Sequence, residues 1–255
     1  MTASDRELER ERYDARARTL SQLGASGAAA VRLALRAPYE QYEHWISAQI
    51  KPGQRVLEIG AGTGEFSGVV LQTAAELVAS DISEFSLRAL ARRHDSRLLT
   101  VCMANMERLP FGDASFDAVI SAGTLSYGDS QLVRDEIVRV LRPGGRFICV
   151  DSLNHNPIYR LNRRIHVWRG RRTISTVRRM PDLSAVEGYR RVFETVEVRY
   201  FGAAAWLAPI VAWLFGEAAS RRFQDKLDGW INVYRSAFKF VMLATKAGST
   251  LTGRI

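Results

Sequence analysis

VLEIGAGTGEF, residues Val56 to Phe66, runs an apolar strand-like segment straight into three glycines at alternate positions. A backbone bent this tightly, with no side chains at Gly60, Gly62 and Gly64, leaves its N–H groups open to a ligand. The helix expected to follow favours negative charge at its N-terminus. Strand, glycine turn and helix in this order make a dinucleotide or nucleoside cradle or, without a ligand, a tight strand-to-helix turn. The oxidoreductase fingerprint G-x-G-x-x-G is not met, because Glu65 stands where its third glycine belongs. Glu58, two places before the first glycine, is an acidic residue inside an otherwise apolar run.

Outward from this stretch the chain alternates between two periodicities. Short apolar or β-branched runs occur at RVLEIG, ELVASDI, LLTVCM, FDAVISAG and RFICVD, separated by helical stretches at Glu65–Thr73, Ser86–His94 and Gln131–Val140. Nearly continuous apolar strands alternating with helices predict a parallel sheet covered on both faces. LRPGGRF reads as a helix end, a Pro-Gly-Gly turn and the entry to the fifth strand. Residues 1–50 form an N-terminal helical segment with a new start at Pro38, and KPGQ turns the chain into the first strand. Residues 51–152 are the nucleotide-binding core and 153–191 an Arg-rich insertion. Residues 192–255 add two more strand candidates, RVFETVEVRYF and SAFKFVMLATK, around the apolar helical run FGAAAWLAPIVAWLF from Phe201 to Phe215.

At 255 residues, 47% hydrophobic and 25% charged, the chain suits one domain with elaborations. Cys102 and Cys149 lie in strand-like runs and read as buried free thiols of a reducing compartment, not as a disulfide framework or a zinc cluster. No metal-binding motif is present. The charged N-terminus has no secretory h-region, and no apolar run is long enough to span a bilayer. A cytoplasmic protein is expected, with peripheral membrane contact as an option for Phe201–Phe215 beside core burial or a lid. The net charge of +9 is local: Leu153 to Arg191 carries ten Arg and no Lys against Asp182 and Glu187, which is +8. Charge this concentrated marks a site or a surface.

Asp81 ends the second strand, 21 residues after Gly60, where an acidic side chain can accept both ribose hydroxyl protons. In this order EIGAGTGEF, SDIS, ANMERLPFGDASFDAVISAG and RVLRPGGRF resemble the class I S-adenosylmethionine-dependent methyltransferases, in particular the type-11 subgroup, over Arg55 to Val150. The resemblance implies a Rossmann-like α/β fold: a mostly parallel seven-stranded sheet flanked by helices, with helical insertions after the fifth and sixth strands. It implies that S-adenosyl-L-methionine lies over Gly60, Ala61, Gly62 and Gly64, with Glu58 supporting the loop and the cofactor's ammonium end. Asp81 and Ile82 are implied at the ribose, and Asn105 and the backbone of Met106 at the adenine. The family's usual residue at position 105 is Asp; Asn keeps an acceptor oxygen and loses the charge. Tyr39, Tyr42 and Trp45, at helical spacing, either pack in the core or close over the cofactor.

Asp151 and His155, in DSLNHNPIY after the fifth strand, leave the sheet edge where ligands bind in open α/β folds. His155 is the candidate general base, or a loop histidine. Tyr127 and Asp129, after the fourth strand in SAGTLSYGD, are candidates for positioning the acceptor; the alternative is a simple loop. Arg160, Arg163 and Arg164 share one helical face as candidates for an acceptor phosphate; the alternative is a solvated helix. VDSLNHNPIYRLNRRIHVWRGRRT and SAFKFVMLATK resemble methyltransferases of bacterial surface-polysaccharide gene clusters, implying O-methylation of a sugar, sugar nucleotide or lipid-linked saccharide. The absence of [ND]-P-P-[YFW] after the fourth strand disfavours methylation of amino groups on nucleic-acid bases. An RNA methyltransferase stays as the second reading because of the pI near 10, and a non-catalytic cofactor-binding or partner-binding protein as the third.

Overall fold

The computed structural model describes residues 36–168, 174–202, 222 and 236–248. Its strands are β1 (Arg55–Ile59), β2 (Glu76–Asp81), β3 (Leu99–Met103), β4 (Phe116–Ala122), β5 (Leu141–Ser152), β6 (Thr195–Phe201) and β7 (Lys239–Thr245). Its helices are α1 (Arg36–Gln49), α2 (Ser67–Leu71), α3 (Glu84–Arg93), α4 (Ser130–Val140), α5 (Pro157–Trp168), α6 (Ile174–Arg179) and α7 (Leu183–Arg190). The strands form one sheet in the order β3-β2-β1-β4-β5-β7-β6. β1 to β5 run parallel, and β7 is antiparallel to both β5 and β6. The expected Rossmann-like, mostly parallel seven-stranded sheet flanked by helices is the fold observed.

Sequence and burial agree strand by strand. β1, β2 and β4 are buried along almost their whole length because helices cover both faces. One layer packs Leu57, Val119, Phe147, Phe240 and Met242 against Val133 and Ile137 of α4 and Val186 and Tyr189 of α7. The other packs Val56, Ile120, Ile148, Val150 and Val241 against Tyr42, Trp45 and Ile46 of α1 and Leu90 of α3. Each such large apolar side chain contributes about 1.5–3 kcal/mol of burial. Side-chain caps start the helices: Ser83 accepts from Ser86 N for α3, Asp129 from Gln131 N and Leu132 N for α4, and Asp182 from Ser184 N and Ala185 N for α7.

The structure corrects the expectations in several places. The first helix begins at Arg36, with Pro38 in its first turn, where a missing N–H costs nothing; residues 1–35 lie outside the described residues. The glycine loop runs on in turns to Phe66, so α2 is shorter than Glu65–Thr73. The Pro-Gly-Gly turn is an excursion inside β5: Leu141 pairs with Phe116, and pairing resumes at Arg146 with Ala118. Cys149 is buried but Cys102 is only half-buried, because β3 is the sheet edge. The same edge exposes Val101 at 38% and Met103 at 64%. Arg169, Arg171, Arg172 and residues 203–215 of the apolar run lie outside the described residues. Among the described residues no helix is long and apolar enough to cross a membrane.

Candidate cofactor-binding site

Strand order reverses between β1 and β4, and at such a switch point the loops after adjacent strands diverge and leave a crevice. The loop after β1 lies there. Gly60, Gly62 and Gly64 all hold positive φ, at 64°, 55° and 77°. Packing accounts for two of them: a Cβ on Gly60 would collide with Thr124, and one on Gly64 would stand 2.7 Å from Leu90 Cγ. Gly62 is different, because a Cβ there would meet nothing within 4 Å. Its bare backbone borders open space, and its N–H donates to Asp81 Oδ2 at 2.9 Å. Asp81 Oδ1 accepts from Ser83 N at 2.9 Å, so the acidic end of β2 is fixed against the glycine loop. Ala61 N donates to Ser80 O at 2.9 Å, and half-buried Ile82 follows Asp81.

Glu58 lies beneath this loop, 3% exposed, with Oε2 accepting from Ser67 Oγ at 2.5 Å. Burial pushes its carboxyl up from an ordinary 4.5 to about 7; the Ser67 hydrogen bond opposes the shift and the Asp81 charge adds to it. Tyr42, fully buried, is raised first by burial and then by the Glu58 charge, and its hydroxyl has no hydrogen bond among the described residues. Tyr39 stacks on Phe66 at 5.4 Å and 12°, and Tyr42 meets the same ring edge-on at 5.4 Å. Of the two options for α1, Tyr42 and Trp45 are core, while half-buried Tyr39 caps the end of the loop.

The segment after β3 completes the rim. Ala104 N donates to Asp81 O at 3.0 Å, which sets Asn105 beside the end of β2. Asn105 Oδ1 accepts from Glu107 N at 3.0 Å, and Met106 packs half-buried on the core. Arg139 ties this loop to α4, a role the sequence reading did not assign. It donates to Glu136 Oε1 at 2.7 Å, Asp113 Oδ1 at 2.8 Å and Phe111 O at 2.8 Å. Glu136 is held below the usual carboxylate range, chiefly by Arg139. Glu136 and Arg139, three apart on one helix, were the available signal.

Glu58, the glycine loop, Asp81, Ile82, Asn105 and Met106 therefore share one edge of the sheet. Tyr127 shares it too, in a 3-10 turn over Leu125–Tyr127. Asp151 is 2% exposed; Oδ2 accepts from Leu125 N at 2.9 Å and Oδ1 from Ser152 N at 2.6 Å. His155 is exposed, near enough to Asp182 to lower that carboxyl as a minor cause. Arg160 and Arg164 are exposed on α5; Arg163 is on the same helix, its side chain outside the described residues.

Residues 57–149 match the sequence family described as a methyltransferase domain. The matched stretch begins in β1, ends in β5 and contains the glycine loop, Asp81 and Asn105. Over 116 residues the chain is 41% identical to a demethylmenaquinone methyltransferase of Clavibacter sepedonicus, covering 42% of this chain and 45% of that one. An uncharacterised protein of Mycobacterium tuberculosis H37Rv is 43% identical over 102 residues, 39% of this chain and 37% of its own. The chain thus spans less than half the length of these curated relatives, as the shares of 45% and 37% state. Among solved structures, the methyltransferase in a Haloferax volcanii complex with the Trm112 activator superposes with TM-score 0.60 at 20% identity, over 92% of this chain and 97% of that one. A Haemonchus contortus phosphoethanolamine N-methyltransferase, in complex with phosphomonomethylethanolamine and S-adenosylhomocysteine, superposes with TM-score 0.59 at 16% identity, over 83% and 53%. At these identities the structural likeness concerns the fold.

Proposed function

We propose that this protein is an S-adenosyl-L-methionine-dependent methyltransferase whose acceptor is a small molecule or glycan. The observation that carries the reading is Gly62: a bare left-handed backbone beside open space, between a buried carboxyl at Glu58 and the Asp81 carboxylate. That donor set fits a cofactor with a cationic amino-acid end and a ribose. When bound, the cofactor supplies a methyl group activated on a sulfonium. The chain's own residues bind and align: Glu58 balances positive charge, Asp81 accepts ribose hydroxyls, and Asn105 with Met106 N borders the adenine.

Asp151 then acts as a positioning residue, because its oxygens hold Leu125 N and Ser152 N at the mouth of the site. His155 remains the candidate proton acceptor for a hydroxyl nucleophile, with Tyr127 and the Arg160, Arg163 and Arg164 face toward the acceptor. The finer reading is O-methylation of a sugar, sugar nucleotide or lipid-linked saccharide in a cytoplasmic protein, with contact at the membrane surface open to the Phe201–Phe215 run. The demethylmenaquinone relative supports a lipophilic acceptor as a second reading, although its similarity covers 42% of this chain. Transfer of labelled methyl into nucleotide sugars, lipid-linked glycan, demethylmenaquinone and tRNA separates these readings. Incorporation into tRNA alone would overturn the small-molecule reading, and no incorporation or cofactor binding at all would overturn methyl transfer.

Asp81→Ala should weaken S-adenosylhomocysteine by about 1.5–3 kcal/mol through lost charge-assisted hydrogen bonds, roughly a 10- to 150-fold rise in Kd by calorimetry. An unchanged Kd would remove Asp81 from the ribose. Asn105 Oδ1 already accepts from Glu107 N, which leaves it one lone pair for the adenine. An Asp there keeps that bond with one oxygen and offers the second to the adenine amino group, so Asn105→Asp should bind equally or more tightly. A tenfold loss would mean that Asn105 donates instead.

A further inference from the structure

The sheet edge that carries the glycine loop also holds a buried lysine. Lys239 opens β7, pairs with Ser152 and Phe201, and is 6% exposed. Its Nζ stands 4.8 Å from the centroid of Tyr39, the ring that also stacks on Phe66 just past the glycine loop. Apart from the Tyr39 ring, the Lys239 ammonium has no hydrogen-bond or ion-pair partner among the described residues. The carboxylate nearest along the strands, Asp151, alternates onto the layer of Cys149 and Phe240, whereas Lys239 shares the opposite layer with Val241. An aromatic face compensates an ammonium only in part for the water it loses, and a buried charge ordinarily finds a counter-charge.

A second cation sits at the same edge. Arg179 ends α6, and its Nη1 is buried without a hydrogen-bond partner. Both cations border the loop leaving β5. Asn154 fastens that loop to α6, its N–H donating to Pro181 O at 2.7 Å and its Nδ2 to Val177 O at 3.0 Å. Leu153 N fastens it to the residue before Lys239, donating to Phe238 O at 2.8 Å. Arg160 and Arg164 differ in kind, since water already solvates their exposed guanidinium groups.

We propose that Lys239, assisted by Arg179, is the anion anchor of the acceptor pocket, and that the acceptor carries a phosphate or carboxylate group which Lys239 neutralises on binding. The proposal rests on the methyl-transfer reading above and adds the charge class of the acceptor. The anion could instead be the carboxylate of the cofactor, so the test separates the two sources.

Inorganic pyrophosphate serves as the probe, titrated calorimetrically into the full chain saturated with S-adenosylhomocysteine. We expect pyrophosphate to bind the wild type, to weaken at least tenfold in Lys239→Met and severalfold in Arg179→Gln, and to change less than twofold in Arg88→Ala, an exposed partner of Glu84 outside the site. S-adenosylhomocysteine should bind Lys239→Met within twofold of wild type, and the melting temperature of ligand-free Lys239→Met should not fall, because an uncompensated buried charge has been removed. Lys239→Gln serves if the Met variant does not fold. No pyrophosphate binding by the wild type, or equal binding by the Lys239 and Arg179 variants, overturns the proposal. A tenfold loss of S-adenosylhomocysteine affinity in the Lys239 variant also overturns it and assigns the ammonium to the cofactor. Failure of the wild type to bind S-adenosylhomocysteine at all would instead sink the methyl-transfer reading.

Discussion

Gly62→Val should raise the Kd of S-adenosylhomocysteine by roughly a hundredfold or more, close to loss of binding in calorimetry. Two effects act together. The residue sits at φ 55°, where a β-branched side chain costs about 1–2 kcal/mol of stability. Its side chain would also project into space that holds no protein atom within 4 Å, the space assigned to the ligand. The first effect lowers the melting temperature and the second removes binding, so they must be read separately. Gly53 supplies the control. It has φ 74° and nothing within 4 Å, but it lies in the turn before β1, at the opposite end of the strand. Gly53→Val should therefore lose comparable stability and keep its affinity. A folded Gly62→Val protein with wild-type affinity would remove the ligand from this loop.

Much of this was legible in the sequence, for reasons that differ by element. The parallel strands are readable because burial on both faces demands continuous apolar runs, as in VLEI and AVIS. The glycine loop is readable because positive φ at three alternate positions leaves almost no alternative to glycine. Elements whose environment is set by distant partners were not readable. Cys102 sits in a run as apolar as that of Cys149, and only the strand order makes β3 an edge. Tyr39 meets Lys239 across 200 residues of chain, so a lone lysine at the head of an apolar strand reads as an ordinary solvated end. The Pro-Gly-Gly turn was recognised, but β5 pairs with β4 on both sides of it, a fact of register that no local signal carries.

The pH dependence of cofactor binding should expose Glu58. Its carboxyl, raised from 4.5 to about 7, keeps a proton in the folded protein that the unfolded chain has already released across that window. A folded pKa above the unfolded one means that stability is fully present below about 4.5 and is lost as pH rises through about 7. At roughly 1.4 kcal/mol per unit, this one group costs the ligand-free protein about 3 kcal/mol by pH 8. A cationic ligand end beside Glu58 favours the carboxylate, so binding at low pH must first remove the proton. Affinity for S-adenosylhomocysteine should therefore fall below pH 7, approaching about tenfold per unit. It should level off above pH 7 and decline again only where the ligand's own amino group loses its proton, which the ligand's adjacent free carboxylate places above the range of about 7.7–8.0 of a chain-terminal amino group. Glu58→Gln should flatten the low-pH limb, weaken binding at pH 7.5 and make the ligand-free melting temperature less sensitive to pH between 5 and 8. If wild type and Glu58→Gln share one affinity profile and one stability profile, Glu58 does not sense the ligand's charge. Its burial under the glycine loop would then serve the hydrogen bond to Ser67 alone.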